Sequence, residues 1–158
     1  MHRRLFLIAG GACGAGLALP AAGHHGWGRY DVHRPLYLEG RVASVNWANP
    51  HASFELQPAP DLRLPADLAR RSVPPQQAAV DAPAVLAAAQ LPRRRDERWT
   101  IELAPLLRMQ DWRIEPLKAG EPVSLVGYAA PGEEGPAVLR AEFLFAEGNA
   151  YGLRSSPA

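Results

Sequence analysis

Five stretches of the chain alternate apolar and polar residues with the two-residue period that is typical of a β-strand. They cover residues 36–47, 51–57, 99–103, 123–129 and 137–147. In the first stretch the apolar phase shifts after Val42, close to Gly40, which predicts a β-bulge or a sharp bend. In the last stretch, Arg140 and Glu142 share the polar face, which predicts exposure to solvent.

A short helix is predicted over residues 105–111, because Pro105 is suited to a first helical turn. The resulting order is three strands, a helix and two strands, which matches the order of the OB-fold. A sheet of so few strands protects its edges best by closing on itself. We therefore predict an all-β protein, with a small five-stranded OB-like barrel and one short helix.

Residues 58–98 interrupt this pattern with a long insertion rich in proline and alanine. Seven of the 16 prolines of the chain fall in it, and aromatic residues are absent from it. Such a segment buries little apolar area per residue, so we predict a low-order insertion with a short helix near 83–90. Its basic run at 93–95 is followed directly by two acidic residues, which favours a solvated exit over a nucleic-acid patch.

Residues 1–23 have the pattern of a secretory signal peptide. Arg3 and Arg4 precede an apolar run, and small residues follow at 21–23. The run is too short and too rich in glycine and alanine for a good membrane anchor, so we predict no membrane span after removal of the signal. The arginine pair leaves twin-arginine and Sec export both open. The prediction is an exported, periplasmic protein with a single domain over 24–158.

Charge and cysteine content exclude several classes of protein. The formal net charge of the 158 residues is +1, and without Arg3 and Arg4 it becomes −1, which argues against a nucleic-acid partner. The single cysteine, Cys13, lies in the predicted signal, so the mature chain can form neither an internal disulfide nor a thiolate zinc site.

Two adjacent histidines, His24 and His25, follow the predicted signal directly. A cut after Gly23 makes His24 the first residue, with its amine and ring able to chelate one metal ion. A cut one or two residues earlier places a histidine third, where four nitrogens form a square-planar set suited to copper(II) or nickel(II). His51, after the Asn49-Pro50 turn, is the candidate third ligand.

Each of these histidines also has a structural interpretation. His24 and His25 could cap the first strand or pack on Trp27, and His51 could be a turn residue bonded to backbone. His33 lies in a polar stretch and is expected to be exposed rather than to bind metal.

Motifs of known catalytic sites are absent from the sequence. It contains no G-x-S-x-G elbow, H-E-x-x-H, P-loop or G-x-G-x-x-G, so we predict that the protein is not an enzyme. Of the aromatic residues, Trp99 is predicted to lie in the core at strand spacing. Trp112 stands between charged neighbours and is the better candidate for a groove contact.

Together these residues resemble a family of small exported bacterial proteins of unknown function, which begins with a His-His pair and carries a W-x-N-P-H segment. The resemblance covers about residues 24–57 and 98–153. It rests on His24-His25-Gly26-Trp27, Tyr30-Asp31, Pro35-Leu36, Leu38-Glu39-Gly40, Trp47-Ala48-Asn49-Pro50-His51, Trp99, Leu103-Ala104-Pro105, Arg108-Met109, Leu117-Lys118-Ala119-Gly120 and Val126-Gly127-Tyr128.

The resemblance implies a periplasmic β-domain with His24, His25, Asn49, Pro50 and His51 as its positions of interest. The chain departs from the family in its long insertion and in lacking an Arg-Gly pair after Met109. The leading hypothesis is therefore a copper-binding protein with His24, His25 and His51 as ligands. The alternative is a metal-free binding module whose partner is a periplasmic protein, and an accessory enzyme ranks last.

Overall fold

The computed structural model describes residues 26–158, in which six β-strands and two short α-helices are formed. The strands are β1 (Leu36–Asn46), β2 (Ser53–Pro58), β3 (Trp99–Glu102), β4 (Pro122–Tyr128), β5 (Val138–Ala146) and β6 (Asn149–Gly152). The helices are α1 (Ala82–Ala88) and α2 (Leu106–Asp111), and short 3-10 turns lie at Trp27–Arg29, Leu68–Arg70 and Pro131–Glu133. The five predicted strands and the helix after β3 are thus confirmed.

The first five strands close into a barrel, as predicted. The hydrogen-bonded order is β3-β2-β1-β4-β5-β6, and a parallel pairing of β3 with β5 closes the ring. β6 is an additional edge strand that pairs with β5. The barrel interior is filled by apolar side chains such as Phe54, Trp99, Ile101 and Leu125, all at most 2% exposed. Trp99 is therefore a core residue, as its spacing predicts.

Two β-bulges bend the barrel strands. The first lies in β1, where the pairing with β2 slips between Val42 and Ser44, close to the predicted phase shift. The second lies in β5, where Phe143 pairs with Val126 but Ala141 pairs with Gly127, so one residue on β5 is left over.

The bulge in β5 corrects the predicted faces of that strand. We predict one face for Leu139, Ala141, Phe143 and Phe145, but the extra residue at Glu142 reverses the alternation. Leu139 and Ala141 face the barrel interior, whereas Phe143 packs in a second apolar cluster outside it. A strict two-residue period cannot represent such a break.

This second cluster joins the insertion to the outer face of the barrel. Tyr37, Val126 and Phe143 from the sheet pack against apolar residues of the insertion, which are Leu68, Leu86 and Ala89. Leu86 is 2% exposed on α1, whose first turn is capped by the Asp81 carboxylate. The prediction that the insertion buries little apolar area is therefore wrong, although its regular structure is as sparse as expected.

Hydrogen bonds fasten the insertion at three further places. Gln90 exchanges backbone hydrogen bonds with Pro35 and Tyr37 at the start of β1. Residues 75–77 pair with residues 156–158 at the end of the chain. Near β3, the backbone N–H groups of Arg93 and Arg94 donate to the buried Glu133 carboxylate. The run at 93–95 is therefore partly anchored, not simply a solvated exit.

Candidate functional site

The three histidines that the sequence nominates as metal ligands are only partly covered by the structure. His24 and His25, like the predicted signal peptide, lie outside the described residues. His51 is half-buried in the connection from β1 to β2, after a cis Asn49–Pro50 peptide bond. Within residues 26–158 no three histidine, cysteine or acidic side chains form a group able to hold a metal ion. His33 is exposed, as predicted.

A row of polar side chains crosses four strands at the level of the β3 end. Consecutive cross-strand partners in this row are Ser53, Glu102, Arg140 and Tyr128. The Tyr30 hydroxyl donates to Glu102 Oε2 over 2.6 Å, and Arg140 lies 3.9 Å from the same oxygen. Burial and the Glu102 carboxylate raise the pKa of Tyr30, and burial lowers the pKa of Arg140.

Beside this row, Trp27 covers a partly buried ion pair. Arg154 donates to Glu142 Oε2 through Nε over 2.8 Å and through Nη2, and its guanidinium lies 3.9 Å from the centre of the Trp27 ring. Arg140 approaches the same ring at 5.3 Å. Glu142 is fully buried, and its Oε1 has no hydrogen-bond partner within residues 26–158.

These contacts hold the two charged residues of β5, Arg140 and Glu142, in the folded structure. The predicted exposure of Arg140 and Glu142 is wrong, because the two residues are 8% and 0% exposed. A buried ion pair needs close partners, and here the aromatic ring at the start of the described chain and the arginine near its end supply them.

A groove of about 1080 Å³ lies between the insertion and the barrel. Its floor follows a second cross-strand row, in which Glu39 pairs with Ser124, Ser124 with Phe145 and Phe145 with Ala150. The insertion forms one wall, with residues 58–60, 71, 72 and 74, and the β5–β6 hairpin forms the other. Drug-sized ligands occupy cavities of about 300–1,000 Å³, so this groove is large enough for an extended ligand.

Two charged side chains of opposite sign are held in fixed positions in this groove. The buried Tyr37 hydroxyl donates to Glu39 Oε2 over 2.5 Å. Arg71 donates to Asp67 Oδ2 over 3.0 Å and to Ser124 Oγ over 3.2 Å. Its guanidinium also lies 5.1 Å from the centre of the Phe145 ring. These contacts orient the guanidinium on the wall and the carboxylate on the floor.

The electrostatics of the groove follow from this arrangement. Burial, followed by the hydrogen bond to Glu39, raises the pKa of Tyr37 to about 12. The Asp67 carboxylate raises the pKa of Arg71 against the opposing effect of burial. Tyr37 is therefore a neutral donor and Arg71 a permanent cation at neutral pH.

Sequence reasoning misses this groove because its residues come from five distant parts of the chain. Glu39 and Ser124 look like ordinary solvent-facing strand residues, and Arg71 lies in a segment predicted to have little order. The predicted groove residue, Trp112, is instead 8% exposed, and its indole N–H donates to the Ser155 carbonyl over 2.8 Å. The register of β1 with β4, if predicted, would place Glu39 beside Ser124. The alternation of apolar and polar residues gives no indication of where Arg71 lies.

The fold and the groove define a small β-barrel protein with an appended, ordered insertion. Residues 13–61 match the model of a family of unknown function (DUF6152), which confirms the predicted resemblance to such a family over this stretch. The matched stretch includes β1 and β2 and ends within the first residues of the insertion. Neither the curated proteins nor the solved structures contain a match to the chain.

Proposed function

We propose that this is an exported, non-catalytic binding protein whose ligand occupies the groove between insertion and barrel. The observation that carries the proposal is the fixed pair of Glu39 and Arg71 in a groove of about 1080 Å³. Fixing these side chains before the ligand arrives reduces the entropy that binding must overcome. The signal-like residues 1–23 support export.

The contents of the groove favour binding over catalysis. A hydroxyl nucleophile is activated by a group that takes its proton, which is most often a histidine. Ser124 Oγ instead accepts a hydrogen bond from the Arg71 guanidinium, which offers no lone pair to remove a proton. The described residues that line the groove include neither histidine nor cysteine. These polar groups are suited to recognising a ligand that leaves unchanged.

An NMR titration of the protein tests the proposal with three probes, namely cellotetraose, the peptide tetra-alanine and an oligodeoxythymidine. We expect at least one probe to shift the amide resonances of Glu39, Ser124 and Phe145, and Ala150→Trp to remove the effect by filling the floor. If all three probes leave these resonances unchanged at millimolar concentration, the groove is not a binding site of this kind. Intact mass of the protein from the periplasm of an expressing host tests export separately.

Copper binding is the second candidate function, with His24, His25 and His51 as ligands. The favouring observation is that the Tyr30–Glu102 hydrogen bond fastens the start of the described chain to β3. Glu102 pairs in turn with Ser53, two residues after His51. Tyr30, near the start of the described residues, and the segment that carries His51 are therefore anchored to neighbouring strands.

A titration of the processed protein with copper(II) tests this second function. We expect one equivalent to bind, with loss of affinity in His24→Ala and in His51→Ala, and no change in the control His33→Ala. If the processed protein binds copper(II) no more tightly than His24→Ala, the copper hypothesis is wrong. Metal content by mass spectrometry of the exported protein gives a direct second measurement.

A further inference from the structure

We propose that the ligand of the groove is a neutral oligosaccharide, an inference that rests on the proposed binding function. The first argument is the charge of the lining. The described lining residues carry two arginines, Arg41 and Arg71, and two glutamates, Glu39 and Glu147, so their formal charges cancel. A phosphate chain needs a positively charged track, which this balance does not supply.

The second argument is the arrangement of donors and acceptors. A sugar hydroxyl is both a donor and an acceptor, so neighbouring hydroxyls are matched by an acceptor beside a donor. Glu39 supplies a carboxylate and Arg71 a guanidinium, and both are neighbours of Ser124 in the groove. Gln57 and Asn149, which also line the groove, add amide groups that donate and accept.

The third argument is the apolar part of the lining. Four prolines contribute rigid apolar surface, and these are Pro58, Pro60, Pro74 and Pro122. They offer surface for the C–H faces of a sugar ring, whose burial is favourable. A lining that contains both planar polar groups and rigid apolar ones matches the two kinds of surface that a sugar presents.

The direction of the groove argues against a peptide. A peptide that adds to a sheet runs along an exposed strand edge, whereas this floor crosses strands β1, β4, β5 and β6 over about 14 Å. Polyproline ligands need a groove lined by aromatic rings. Here Phe145 is the one aromatic residue of the described lining, and Arg71 already lies over it. The lining fits none of these peptide-binding modes.

The length of the floor indicates an oligomer rather than a single sugar. The row from Glu39 to Ala150 spans three strand spacings, each of about 4.8 Å. Small side chains at Ser124 and Ala150 keep this row open. The ligand therefore lies across the strands, with its polar groups between the Glu39 carboxylate and the Arg71 guanidinium.

Titration of the protein with three neutral glycans, cellotetraose, maltotetraose and N-acetylated chitotetraose, tests the inference by calorimetry and NMR. We expect at least one to bind and to shift the groove resonances. Glu39→Gln should weaken that binding about tenfold or more, because it replaces a charged acceptor by an amide. The matched control Glu115→Gln, at an exposed position outside the groove, should leave the affinity unchanged.

Ala150→Trp provides a second variant, because its partly exposed edge position tolerates a large side chain while the indole blocks the floor. We expect it to abolish glycan binding with an unchanged circular dichroism spectrum. Failure of all three glycans to bind at millimolar concentration overturns the inference. If tetra-alanine shifts the groove resonances and the glycans do not, the glycan class is wrong while the proposed binding function stands.

Discussion

Glu133→Gln removes the charge at the point where the insertion is tied to the β4–β5 loop. Glu133 is 7% exposed, and its carboxylate accepts hydrogen bonds from the Arg34 guanidinium and from two backbone N–H groups of the insertion. Glutamine keeps the size of the side chain and one carbonyl oxygen. It turns an NH₂ group toward donors, however, and leaves the Arg34 cation without its counter-charge.

The expected loss of stability follows from these contacts. A hydrogen bond to a charged group contributes about 1.5–3 kcal/mol. The Arg34 side chain is 17% exposed, so water compensates it in part. We expect Glu133→Gln to lower the free energy of unfolding by about 2 kcal/mol at pH 7. The exposed neighbour Glu134→Gln, which is the matched control, should change it by less than about 0.5 kcal/mol.

The pH dependence of the effect has a definite sign. The backbone N–H groups and Arg34 hold the pKa of Glu133 below its ordinary value, although burial opposes them. A lowered folded-state pKa stabilises the protein above the unfolded-state pKa of about 4.3, and this contribution is lost as the pH falls through the folded-state pKa. The difference between wild type and Glu133→Gln should therefore shrink in acid.

Urea unfolding monitored by tryptophan fluorescence at pH 7, and then at falling pH below 5, measures both effects. Equal midpoints for wild type and Glu133→Gln at pH 7 would refute the argument that this carboxylate fastens the insertion. A difference that stays constant down to pH 3 would refute the electrostatic part, because an uncharged packing defect has no such dependence.

Three further substitutions test other parts of the fold by the same unfolding assay. Gly40→Ala should cost about 2–3 kcal/mol, because its Cβ would lie 2.0 Å from the Gln57 carbonyl oxygen. Leu86→Ala should cost about 3 kcal/mol in a single transition if the insertion is part of the cooperative core. Trp27→Ala should cost about 2 kcal/mol, since it uncovers Arg154 and removes two cation–π contacts.

Controls and contrary outcomes separate these effects from general damage. Two control variants should leave the free energy of unfolding nearly unchanged. Gly28→Ala places its Cβ in open space, and Leu64→Ala removes a side chain that is 43% exposed. A neutral Gly40→Ala would show that the strands can separate there at no cost. A separate early transition in Leu86→Ala would mean that the insertion unfolds independently. An unchanged free energy of unfolding in Trp27→Ala would show that stacking on Trp27 does not stabilise the fold.

The strand pattern predicts the barrel for two reasons. Alternation is a local property that each strand shows by itself, and closure follows from the geometry of a sheet with few strands. Each of the first five strands turns one apolar face to the barrel interior, and the phase shift near Gly40 marks a real bulge. β6 was missed because its turn, Glu147-Gly148, lacks the usual Asn-Gly or Asp-Gly signal, although both residues have the positive φ that a tight hairpin needs. Its four residues are also too few to show a period.

The candidate site was less predictable because it depends on contacts between distant residues. The apolar residues that order the insertion are widely spaced, and they become informative only once Tyr37, Val126 and Phe143 are known to face them. Similarly, Glu142 reads as a solvent-facing strand residue until the bulge and Arg154 are in view. The sequence indicates candidate histidines from their position along the chain. It does not predict the groove, which depends on tertiary contacts between distant segments.

The pairing of residues 75–77 with residues 156–158 sets an order of events during protein synthesis. Residues 75–77 must wait for these partners while strands β3 to β6 are made. At about 5–20 residues per second that wait is about 4–16 s. Through this interval residues 75–77 lack the backbone partners that residues 156–158 supply. Pro74 and Pro75, which cannot donate to a β-ladder, limit wrong pairing of this segment with other chains until residues 156–158 are made.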